Sequence, residues 1–243
     1  MSEERLTSIG SLHIGTAPQA DARWHSAAAS GSGVLAFLGN VPVQVKEDVL
    51  YSTLYAQLES DKKYPGRPIE KMEEWLKEYV SVLLNVGWIF PDSKRDIVPT
   101  EISDAREYKS VDKLIMEAER PHLTGDVEPA LFRKMIKSLR ERWNAGALWA
   151  IDMKAVHGYD ASFQVGVVSL DGGKAQLKLG MHHYKMSEEV NEALLRTLAV
   201  SQLKYMAGEG VMKLDDRVYA NLRSMVRRRV WSEAQAFVKE IRM

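Results

Sequence analysis

Phe163-Gln164-Val165-Gly166-Val167-Val168, then Asp171-Gly172-Gly173, then Ala175-Gln176-Leu177-Lys178-Leu179-Gly180-Met181-His182-His183: this stretch decides the fold. Asp-Gly and Gly-Gly supply the left-handed backbone that a tight hairpin turn requires, and apolar runs flank them on both sides. In the second run Ala175, Leu177, Leu179 and Met181 alternate with Gln176, Lys178 and His182. Successive strand side chains point to opposite faces, so the spacing predicts an antiparallel hairpin with one buried and one solvated face. The edge of that hairpin is then a place for a partner or a second copy to add.

Working outward from the hairpin, helices are expected on both sides. Leu50, Leu54 and Leu58 recur every four residues between Val45 and Lys62, with Glu47, Gln57 and Glu59 on the other face. Tyr64-Pro65-Gly66-Arg67-Pro68 makes the turn, and Ile69, Met72, Leu76, Val80 and Leu83 carry a second helix to Val86, closed by Gly87. A short helix spans Val111–Arg120, and another runs from Asp126 or Glu128 to Trp143 with Phe132, Ile136, Leu139 and Trp143 inward. Ala147-Leu148-Trp149-Ala150-Ile151-Asp152-Met153, with little polar content, reads as a strand. After the hairpin, Ser187 opens a helical region through Val190, Leu194 and Leu198 toward Leu203, broken at Gly208-Glu209-Gly210; Asp215 to Ile241 is helical again. Residues 1–44 read as an irregular arm, with an edge strand at Ser11–Gly15, an anchor at Trp24, and linker composition from Ser26 to Gly33. A short strand is expected near Ile97-Val98. The expected fold is α/β of the α+β type, one domain over residues 1–243. An antiparallel sheet around the central hairpin is covered by helices from both ends of the chain.

Composition narrows the function classes. Lysine plus arginine (33) equals aspartate plus glutamate (33) in 243 residues. Nucleic-acid binders normally carry a basic excess, so no nucleic-acid partner is expected, and a neutral surface permits homo-oligomers. There is no cysteine, which removes disulfides, thiolate chemistry and S-acylation together and fits a reducing compartment. Met1 to Arg5 is acidic and polar with no apolar run behind it, and no stretch approaches the ~20 apolar residues of a membrane span. The default expectation is cytoplasmic residence.

Candidate chemistry is sparse. His182 and His183 are adjacent in a strand and point apart, so they do not chelate one ion, and no other metal-ligand spacing exists. The motif Ser30-Gly31-Ser32-Gly33 imitates a nucleophile elbow without the strand that presents one. The pairs Glu73-Glu74 and Asp215-Asp216 lie on expected helix surfaces. No catalytic residue, cofactor or metal site is therefore assigned. Arg227-Arg228-Arg229 is the one dense basic run, a candidate contact for an anion or a lipid head group, although such a run also reads as a solvated helix face.

One segment resembles a known family. Asp48-Val49-Leu50-Tyr51-Ser52-Thr53-Leu54-Tyr55-Ala56-Gln57-Leu58, then Lys62-Lys63-Tyr64, then Trp75, Tyr79, Val82-Leu83 and Asn85-Val86-Gly87-Trp88 resemble a helix pair of uncharacterised bacterial and fungal proteins related to the Erwinia virulence factor family. The later order of helix, Trp149 strand and Phe163 hairpin is similar to that of cytolytic delta-endotoxins. The resemblance implies an α/β fold and a lipid-modified protein with an acylated cysteine. That last part does not carry over to a chain without cysteine. The functional expectation is a non-enzymatic interaction or virulence-type protein, associating with membrane lipid, with a protein partner or with itself. The alternative is a small enzyme or ligand-binding protein with a dispersed site.

Overall fold

The computed structural model describes residues 25–91, 97–101, 110–121, 123–197 and 203–243. Strand β1 (Ser26–Ser30) turns through Gly31 into β2 (Gly33–Phe37). Helices α1 (Val43–Lys63) and α2 (Met72–Asn85) follow, joined by the Tyr64–Pro68 turn and a short 3-10 turn. Short strands β3 (Trp88–Ile89) and β4 (Thr100–Glu101) lead to α3 (Val111–Glu119), α4 (Val127–Ser138) and α5 (Ala145–Ala155). Then come β5 (Val156–His157), β6 (Asp160–Asp171), β7 (Lys174–Lys185), β8 (Lys204–Leu214), α6 (Asp216–Phe237) and β9 (Val238–Ile241).

The strands form one mixed sheet in the order β3-β8-β7-β6-β2-β1-β9, with β4 also on β8 and β5 on β6. The expected hairpin is its centre. Asp171 pairs with Lys174 across Gly172-Gly173, whose φ angles of 58° and 80° fit a type I′ turn. β6 also pairs in parallel with β2, and β7 pairs with β8. Neither long strand is an edge, so the hairpin offers no free ladder to a partner.

Alternation along β7 is as expected, but the second face is not solvated. Leu177, Leu179 and Met181 pack under α1, α2 and α6. On the other face Phe163, Val165, Val167 and Tyr184 pack under α3, α4 and α5. His182 is fully buried there, and the Lys178 side chain is only 15% exposed because it pairs with Glu128. His182 and His183 do point to opposite faces: His182 contacts Tyr205, and His183 contacts Asp160.

Three segments depart from the sequence reading. Residues 26–37, read as part of an irregular arm with linker composition from Ser26 to Gly33, form β1 and β2, because small alanines fit a strand squeezed between helices on both faces. Residues 147–153, read as a strand, lie in α5. Ala145, Ala147, Ala150 and Ala155 favour helix, and Ala147, Ala150, Ile151 and Ala155 bury against the sheet. The likeness in element order to cytolytic delta-endotoxins, which placed a strand at Trp149, is lost with it.

Third, the described part of 187–203 is irregular and 204–214, including Gly208-Glu209-Gly210, is a strand. Those glycines are needed because Ile97 and Pro99 cross the strand there; a Cβ on Gly210 would come within 2.7 Å of Ile97. The helix expected from Asp215 to Ile241 stops at Phe237 and continues as β9. Ser11–Gly15 and Trp24 lie outside the described residues.

Candidate functional site

Sequence reasoning located α5 in the wrong element, and α5 carries the most unusual surface of the protein. Its inward stripe is satisfied by the sheet, yet Trp149 is 53% and Met153 56% exposed. Trp143, expected on the inward face of α4, lies instead in the turn before α5 and is 61% exposed. Beside Trp149 and Met153 is an open groove of about 580 Å³, lined by Ala145, Leu148, Trp149, Asp152, Met153, Val156, Asn191 and Glu192. Leu148, Trp149, Asp152 and Met153 follow helical spacing (i, i+1, i+4, i+5), so one face of α5 builds most of one wall, and Val156, the first residue of β5, extends it. The segment after β7 builds the other. It is held by Tyr184 Oη donating to the Glu192 and Ala193 carbonyls, and by Val190 N donating to the Gly158 carbonyl.

The wall is fixed from behind. The Trp149 ring stacks on Phe237 at 5.9 Å, nearly parallel, and Lys154 sits 4.2 Å from the same Phe237 ring while pairing with Glu233. Asp152 is the charged group in the middle of the apolar wall. It accepts a hydrogen bond from Ala193 N at 2.8 Å. Burial pushes its carboxyl up to about 6, and the charge of Glu192 adds to the rise, while the Ala193 bond opposes it.

The expected anion contact, Arg227-Arg228-Arg229, is not a cluster. Consecutive helical residues are ~100° apart, so the three side chains fan around α6. Arg227 lies along the surface of α1, its side chain 40% exposed, paired with Glu47 at 3.1 Å and 5.6 Å from the Tyr51 ring. Arg228 and Arg229 are exposed. Arg223, one turn earlier, holds the buried Asp48 through two bonds at 2.7 and 2.8 Å.

A second polar cluster was invisible in the sequence because its members come from five elements. Gln57, read as a solvent-facing residue, is buried; it accepts from Ser32 N and donates to the Ser30 carbonyl. Arg67, 1% exposed, donates to both Asp61 carboxylate oxygens, to Ser32 Oγ and to the Ser162 carbonyl, and lies 4.7 Å from the Trp75 ring. Its φ of 41° is left-handed, a conformation that a non-glycine residue holds only when its surroundings fix it. Beside it, His183 Nε2 is 3.1 Å from Asp160, and burial lowers the His183 and His157 pKa values. The inner side of the cluster is sealed by Trp75, Tyr79 and Met72, all buried, and its rim reaches solvent at Asp61, 29% exposed, and Asp160, 14% exposed, so it binds the α1–α2 turn to the sheet.

Among the described residues no cluster of three metal-ligating side chains occurs, and no helix is long and apolar enough to cross a membrane.

No protein-family model matches the chain, and no curated protein does. Among solved structures, the chain is similar to one described as the structure of the Evf virulence factor. The two are 11% identical, 82% of each chain is covered, and the TM-score is 0.35. A likeness at that level assigns no function.

Proposed function

We propose that this protein is a non-enzymatic interaction protein whose docking surface is the outer face of α5, and that its partner is a protein segment presenting an apolar side chain to the groove. The observation behind this reading is the pair Trp149 and Met153, each more than half exposed on one helix and flanking a largely apolar depression. Tryptophan and methionine are the residue types enriched where proteins dock, and covering each contributes about 1.5–3 kcal/mol. The wall behind them is rigid, because Trp149 is stacked and Asp152 is tied to the next segment. A docking surface gains affinity from that preorganisation.

Two rivals fit less well. An enzyme needs several polar groups converging in an enclosed space, whereas this groove is open and most of its wall is apolar. An anionic bilayer would meet the carboxylates of Asp152 and Glu192, and like charges repel at such a surface. On the bilayer reading the exposed Arg228 and Arg229 would be the head-group contacts, yet they stand on α6 and outside the groove lining.

The test uses the methyl resonance of Met153 as reporter. An amphipathic leucine-bearing peptide should shift it, and Trp149→Ser should abolish the shift while leaving the far-UV spectrum unchanged. Vesicles with and without phosphatidylglycerol form the competing arm. A shift from vesicles alone, weakened by Arg228→Glu with Arg229→Glu, would replace this reading with the membrane one. Self-association that broadens Met153 in concentrated protein and disappears in Trp149→Ser would make the partner a second copy.

A further inference from the structure

The groove carries more than an apolar wall. Asp152 stands between Leu148, Trp149, Met153 and Val156, and its one hydrogen-bond donor among the described residues is the Ala193 amide. The second carboxylate of the lining, Glu192, is exposed. Neither has an ion pair among the described residues, although cations stand close by. Arg196 is held by Glu188 at 2.8 Å and by Asn191 at 2.7 Å. Lys154, two residues along α5, is turned to Glu233 and the Phe237 ring. The protein has thus tied up its own nearby cations and left two carboxylates facing an apolar depression.

We infer that the docked segment presents a lysine or arginine next to its apolar side chain, that this cation pairs with Asp152, and that acidification releases the segment by protonating Asp152. The inference rests on the docking reading above and adds the chemistry of the partner and its regulation. A cation is the complement of two unpaired carboxylates, and the surrounding apolar wall strengthens the attraction by displacing water. The Asp152 carboxyl ionises at about 6 in the free protein, so neutral conditions leave it charged and mildly acidic ones neutralise it. A bound cation would lower that value, which is the same coupling seen from the other side.

The groups that face Asp152 do not compete with this role. Glu192 raises its pKa and is the partner's second contact; Tyr184, on β7, stays neutral because burial raises its phenol. His157 follows Val156 but interacts with Arg67, Asp61 and His183, in the other polar cluster.

Calorimetry with two peptides, a leucine–lysine amphipath and its leucine–glutamine counterpart, tests the inference. The lysine peptide should bind about tenfold more tightly at about pH 7.5 and lose that advantage at about pH 5. In Asp152→Asn, which can still accept the Ala193 amide, the preference for the lysine peptide should fall to the small part that exposed Glu192 supplies and should show no step between about pH 7.5 and about pH 5. Equal affinity of the two peptides for the unaltered protein, with Met153 still shifted, would overturn the charge and acid reading and leave docking intact. Failure of both peptides to move Met153 would overturn docking itself. A pH step that persists in Asp152→Asn would assign the titration to another group and overturn the role of Asp152.

Discussion

The carboxylate of Glu119 occupies the space that a side chain on Gly180 would fill. A Cβ on Gly180 would lie 1.8 Å from Glu119 Oε1. Glu119 is the last residue of α3, and from that position its Oε1 comes within 2.9 Å of His182 Nε2, two residues along β7. On the other side of the ring, His182 Nδ1 meets Tyr205 Oη, and the Phe163 ring stacks on the imidazole at 5.3 Å. A glycine in a central strand is thus the condition for docking α3 onto the sheet.

Gly180→Ala should therefore lose stability. Overpacking costs about 1–3 kcal/mol, and displacing a buried carboxylate from its imidazole adds to it. A urea titration followed by far-UV circular dichroism measures the change. A loss below about 0.5 kcal/mol would mean that Glu119 swings away freely and that its contact with His182 is incidental.

Arg67→Lys keeps the charge and discards the fork that reaches both oxygens of Asp61, Ser32 and the Ser162 carbonyl. The charge on Asp61 stays compensated, so the cost comes from buried acceptors left unpaired, about 1–3 kcal/mol. Hydrogen exchange should report the loss first at residues 64–71. A lysine variant as stable as the parent protein would show that charge alone holds the turn.

Two groups bend the pH dependence of stability in opposite directions. His183 is held neutral by burial, with its pKa below the ordinary 6.5, although Asp160 opposes this. Its contribution is complete above pH 6.5 and declines as pH falls from there toward its folded value. Asp152 is the reverse: its folded value of about 6 exceeds the ordinary 3.8, so its contribution is complete below 3.8 and is lost as pH rises through about 6. Relative to the parent protein, Asp152→Asn should gain stability as pH rises from about 5 to about 7.5, and His183→Gln should flatten the loss on the acid side. Denaturation midpoints measured across that range give both differences, and slopes unchanged in both variants would assign the dependence elsewhere.

Asn144 closes the outer edge of the sheet. Its amide donates to the Arg242 carbonyl, and its carbonyl accepts from Arg242 N, both at 2.9 Å, so one side chain mimics a further strand just past β9. Asn144→Ala should cost about 1–3 kcal/mol, since it also removes a bond to the Ser138 carbonyl, and should free the β9 edge for pairing. Light scattering would then show concentration-dependent association beyond that of the parent protein. A variant that stays dispersed would mean the short edge is harmless without its cap.

The sequence by itself determined the hairpin from residue 163 to residue 183, its Gly172-Gly173 turn, the α1–α2 pair and the divergence of His182 from His183. Each depends on neighbours within a few residues: a two-residue alternation, a stripe every three or four, a glycine pair free to take positive φ. Tertiary structure decided the rest. Gln176, Lys178 and His182 mark one face of β7 as polar, and only the helices packed over that face turn it into a covered one. Glycines at 208 and 210 looked like a break because what crosses them, the Ile97 side chain and the Pro99 backbone, lies more than a hundred positions away. The Arg67 cluster has no pattern in one dimension, since Gln57, Ser32, Ser162 and His183 meet only after the sheet has formed. The candidate site was hidden for a different reason. α5 buries one apolar face in the core and exposes another, so its helical period cancels and it reads as a buried strand. That cancellation is itself the trace of an unpartnered surface, and it becomes readable only once the fold shows which of the two faces the core has taken.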